Sequence, residues 1–131
     1  MAIDEEFVKE GAKKMTEKDV KKVVDRSERI KEKFTPYGPL KRFMGDAKLL
    51  IAMIKDFSRR NYRQVPFATI GAIAFTLLYV LNPFDMMPDM LPIIGQLDDA
   101  SVFAAAMMLI QRDLRKYEKW KETQPLQLTE G

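Results

Sequence analysis

Two uncharged apolar runs constrain this chain more than any other feature, because each must be enclosed by protein or by lipid. The first covers residues 65–81 and the second residues 100–110. Between them lies Asn82-Pro83-Phe84-Asp85-Met86-Met87-Pro88-Asp89-Met90-Leu91-Pro92-Ile93-Ile94-Gly95-Gln96-Leu97-Asp98-Asp99. This stretch holds three prolines, one glycine and four aspartates, and no basic residue. The first run has 17 residues, at the short end of the roughly 17–25 needed to span a bilayer, and Thr69, Thr76 and Tyr79 dilute it. The second has 11 and is too short to span alone. Ala68 and Ala72, Ala100 and Ala104, and Ser101 and Ala105 are each four apart, a spacing that lets helix backbones approach. The expectation is an antiparallel helical hairpin with the Pro/Asp stretch as its connection.

That stretch resembles the signature of a bacterial family, the domain of unknown function 1232, or YkvA-like, proteins. Asn82, Pro83, Asp85, Pro88, Asp89, Pro92, Gly95, Leu97, Asp98 and Asp99 match its pattern. Phe84, Met86 and Met87 stand where aliphatics are usual, and Gln96 where an aromatic is common. The resemblance runs from Gly71 to Ile110, about a third of the chain. It implies a small helical domain, often assigned to membranes, and it implies no activity.

The rest of the chain is organised by charge. Residues 1–64 carry a net +6, residues 65–111 a net −4 and residues 112–131 a net +1. The chain is basic on both sides of the apolar hairpin and acidic at its tip. Thr16-Glu17-Lys18-Asp19 reads as a capping box with Asp as its acid. After it Val20, Val23, Val24, Ser27, Ile30 and Phe34 recur at helical spacing up to the breaker Thr35-Pro36-Tyr37-Gly38-Pro39. Before it Asp4 can cap a short first helix that Phe7 and Val8 anchor and Gly11 weakens. A further amphipathic helix is expected from about Leu40 to Arg60, then one from Pro66 to Leu81, then one from Asp98 or Asp99 to about Lys121. Leu114, Tyr117 and Trp120 continue an apolar edge of this last helix among charges. The fold class is all-α: a small bundle of about four helices around the apolar hairpin. Residues 1–38 form a basic amphipathic arm, 39–122 a helical core containing the hairpin at 71–110, and 123–131 a flexible tail.

The aspartates admit three readings. In the first they are turn chemistry: Asn82-Pro83-Phe84-Asp85 starts a helical turn, Pro88 and Pro92 keep it short, Gly95 turns the chain, and Asp98 or Asp99 caps the last helix. In the second Asp85, Asp89, Asp98 and Asp99 converge and hold Mg²⁺ or Ca²⁺, which take oxygen ligands. In the third a Lys or Arg of the basic arm pairs with them. Met86, Met87, Met90, Met107 and Met108 read as gap-filling core, with an adaptable surface or soft-metal role as the alternative.

No catalytic residue is assigned. The chain has no Cys and no His, so thiol chemistry, Cys/His zinc sites and the commonest general base are absent. It shows no Gly-rich phosphate loop and no nucleophile elbow. The acidic first residues lack the apolar core of a secretory signal. Arg59, Arg60 and Arg63 flank one end of the hairpin and Arg112, Arg115 and Lys116 the other, so both clusters belong at one end. By the positive-inside rule that end faces the cytoplasm. The expected role is a non-enzymatic module at the cytoplasmic face of the membrane, peripheral or embedded through 65–110. Its partner is then membrane lipid or another protein. A soluble adaptor and a carboxylate-metal protein with hydrolase-like chemistry are the alternatives. Nucleic acid is not the expected partner, because acids interleave the basic residues of the first helices. No cofactor is expected beyond the Mg²⁺ or Ca²⁺ of the second reading.

Overall fold

The computed structural model describes residues 3–83 and 98–124. Every regular element among them is helical: α1 (Ile3–Lys13), α2 (Glu17–Asp25), α3 (Ser27–Lys31), a 3-10 turn at Lys41–Phe43, α4 (Met44–Ser58), α5 (Phe67–Leu81) and α6 (Asp99–Thr123). The expected all-α bundle is what forms. The helix expected over 17–34 is divided at Arg26, whose ψ of 17° departs from helix, and Ser27 beyond the break is buried. The helix expected from Leu40 begins as a 3-10 turn and becomes α-helical only at Met44. Helix α1 starts at Ile3, which puts Asp4 inside the first turn rather than before it.

Helix α5 is the centre of the bundle. It carries no charge, and every residue from Thr69 to Leu81 is buried. Helices α1, α2, α3, α4 and α6 all pack against it. An apolar helix needs an apolar environment on all sides, and here protein supplies it. Pro66 precedes the first turn with φ −64°, where its missing N–H costs nothing. At the start of α5 the Thr69 hydroxyl donates to Asp113, in the second half of α6. Near its end burial, and then the charges of Asp99 and Asp98 at the start of α6, push the Tyr79 phenol above its ordinary pKa. The two helices therefore run antiparallel, as the hairpin requires.

Aromatic rings dock the flanking elements. Phe7 of α1 sits edge-on between Phe75 and Tyr79 of α5, at centroid distances of 5.0 and 5.3 Å. Phe103 of α6 packs against Phe34 and Phe43, at 5.3 and 4.6 Å. Val20, Val23 and Ile30 are buried in the same core. Gly11 does more than weaken α1: a Cβ there would overlap the Phe75 ring. On the facing helix, a Cβ on Gly71 would lie 2.7 Å from the Ala12 carbonyl oxygen. Two glycines thus permit one close helix crossing.

Candidate functional site

Helix α6 links two polar groupings at opposite ends of the described part of the molecule. At its N-terminus Asp98 adopts extended backbone and its Oδ1 accepts from the Ser101 N–H at 2.7 Å. This is N-cap geometry, and that hydrogen bond holds the Asp98 carboxyl below its ordinary pKa, with Arg42 adding a smaller favourable charge. Asp99 lies in the first turn and is half-buried. Burial and the neighbouring Asp98 charge push its carboxyl up, against the pull of Lys33. The basic residues facing these two aspartates are thus Arg42 and Lys33, from the segment that leads into α4. Asn82 ends α5, its N–H donating to the Leu78 carbonyl at 2.9 Å, and Pro83 follows half-buried. Asp85, Asp89, Pro88, Pro92 and Gly95 lie outside the described residues, as do Met86, Met87 and Met90. Among the described residues no three acidic side chains gather as a metal site.

The opposite end is built around a carboxylate that no motif announced. Asp56 of α4 is buried and accepts from the Tyr117 hydroxyl, from Lys121 Nζ at 3.1 Å and from Asn61 Nδ2 at 3.3 Å. Burial alone raises its pKa; the three hydrogen bonds outweigh that and leave it below the ordinary value. Burial, then the bond to Asp56, push Tyr117 far above its own ordinary value. Arg60 follows α4 in left-handed backbone, φ 66°, and the N–H groups of Asn61 and Tyr62 then return to the Asp56 carbonyl. Tyr62 is carried inward onto Tyr117 and Trp120, at 5.2 and 4.9 Å. A carboxylate engaged by three donors and a phenol held protonated suit a structural pin rather than proton transfer.

That pin lays the α4–α5 connection along the second half of α6. Arg59, Arg60 and Arg63 therefore lie at the same end of the bundle as Arg112, Arg115, Lys116 and Lys119. All seven side chains are exposed. Arg63 covers the Phe57 ring at 4.1 Å. The thirteen helical steps from Asp99 to Arg112 separate the two ends by about 20 Å of helix. Met107 packs against the core as expected of a gap-filling side chain, but Met108 does not. Its position on the outer face of α6 leaves it 68% exposed.

An all-α bundle wound round one uncharged helix, with an aspartate cap where its last helix begins and a group of exposed cations at the other end, is the class of protein defined here. Residues 69–105 match the family model described as "Protein of unknown function (DUF1232)". Over 69 residues the chain is 32% identical to the "Uncharacterized membrane protein YkvA" of Bacillus subtilis (strain 168). That match takes in 53% of this chain and 65% of the relative. The resemblance to the DUF1232, YkvA-like family therefore holds on both comparisons. No solved structure matches the chain.

Proposed function

We propose that the chain is a non-enzymatic helical module that associates peripherally with the cytoplasmic face of a membrane. The observation that carries this reading is the disposition of α5 and the cations. The one charge-free helix among the described elements is wrapped by protein, whereas the seven exposed cations of the α4–α5 connection and the second half of α6 share one end of the bundle. At 15 residues α5 is about 22 Å long, against a hydrocarbon core of about 30 Å. No described helix is long and apolar enough to cross a membrane. A cationic end attracts the anionic lipids of a cytoplasmic leaflet at roughly 1 kcal/mol per basic residue near the surface. The membrane label of the Bacillus subtilis relative supports the same reading.

Vesicle flotation tests it. The chain is expected to float with vesicles containing anionic phospholipid at low salt and to be released as the ionic strength rises toward 1 M, where the Debye length falls to about 3 Å. Flotation that no salt concentration reverses indicates insertion, and sinks the peripheral reading.

A further inference from the structure

Given that peripheral association, we infer that the outer face of α6 is the surface that contacts lipid. Arg112, Arg115, Lys116 and Lys119 bind phospholipid phosphates, and Met108 enters the apolar layer beside them. At about 100° per residue, Met108, Arg112, Arg115 and Lys119 fall within about 60° of one another along α6, and Lys116 borders them. The open depression these five side chains share with Leu109 and Gln111 has no carboxylate in its lining. Glu118 and Glu122 fall on one flank, toward the C-terminal end. Helix α6 lies along the bundle and is pinned there by Asp56, so its outer face is rigid and can rest flat on a headgroup layer. A face of basic residues with an apolar side chain among them fits the interface plane of a bilayer.

Two other exposed surfaces are rivals and are weaker. On α2 and α3, Lys18, Lys21 and Lys22 alternate with Glu17, Asp25 and Glu28, which gives no field of one sign. Tyr37 is 97% exposed, but its segment leads toward Asp98 and Asp99, which offset the charges of Lys33 and Arg42 there. Leu109 also lines a groove of about 290 Å³ between α1, α5 and α6, edged by Lys9 and Lys13, so the cationic surface continues onto α1.

The test is co-sedimentation of the 131-residue chain with phosphatidylcholine vesicles and with vesicles that also contain phosphatidylglycerol, at 0.1 M salt. Wild type is compared with Arg115→Glu/Lys119→Glu, Met108→Ser, Lys18→Glu/Lys22→Glu and Tyr37→Ser. All the substituted side chains are exposed, and a melting curve checks that each variant is folded. The α6 double reversal is expected to weaken binding to the anionic vesicles by about 25-fold or more, at roughly fivefold per cation lost. Met108→Ser weakens it less, and Arg115→Lys/Lys119→Arg keeps it. Undiminished binding by the α6 reversal, or loss confined to the α2 or Tyr37 variants, overturns the assignment and leaves peripheral association standing. A wild-type chain that binds neither vesicle, or that prefers single-stranded RNA to the anionic one, overturns both.

Discussion

Asp98 and Asp99 are neighbours with opposite energetics. Asp98 caps α6, and replacing an N-cap aspartate by alanine typically costs about 1 kcal/mol. Asp98→Ala is therefore expected to lower stability by about that amount. The loss should be equal in chelator and in millimolar Mg²⁺ or Ca²⁺, as chemical denaturation in each buffer will show; a loss confined to the ion-containing buffer instead makes Asp98 a ligand. Asp99 is half-buried, and its raised pKa means the folded state holds its proton more tightly than the unfolded one. Its contribution therefore disfavours folding once pH exceeds the unfolded carboxylate value of about 3.9. Asp99→Asn should melt higher than wild type at pH 7, with the advantage vanishing as pH falls below that value. An unchanged difference across the titration removes the burial argument. Capping of α6 by one member of the pair was legible in the sequence because N-cap chemistry is local. Asp56 was not, because its donors Tyr117 and Lys121 lie 61 and 65 residues away in the chain.

At the scale of the element, α5 was the most legible part of the molecule. A charge-free run with Pro at its start admits few structures other than an enclosed helix, and the structure supplies the enclosure as five packed helices. The break at Arg26 was not legible, since the apolar spacing continues through it. The packing role of the glycines was not legible for a similar reason: helix propensity counts only the weakening by Gly11, whereas packing also needs the space at both Gly11 and Gly71. Gly71→Ala forces its methyl against the Ala12 backbone and is expected to destabilise by about 1–3 kcal/mol in urea unfolding. Gly45→Ala, in the exposed first turn of α4 where a Cβ meets nothing, is the internal control and should gain up to about 1 kcal/mol. Similar losses at both positions leave the α1–α5 crossing without its explanation. Of the small residues expected to close the hairpin, Ala68 and Ala72 line the groove between α1, α5 and α6.

Across the whole molecule, charge segregation was readable and its geometry was not. Counting residues places cations on both sides of an apolar hairpin; only the Asp56 pin and the Thr69 bond to Asp113 show how the two clusters come to share an end. The same counting leaves a 17-residue apolar run divided between bilayer and bundle. In the described structure the residues of α5 from Thr69 to Leu81 are buried by protein, which supports the bundle reading. The central claim is that this protein meets a membrane by its charged surface while its apolar helix stays in protein. Alkaline carbonate extraction of membranes carrying the 131-residue chain tests that most directly. Release into the supernatant is the predicted result. Retention in the pellet, with the chain still folded after the wash, means that the 65–110 hairpin is embedded, and contradicts it.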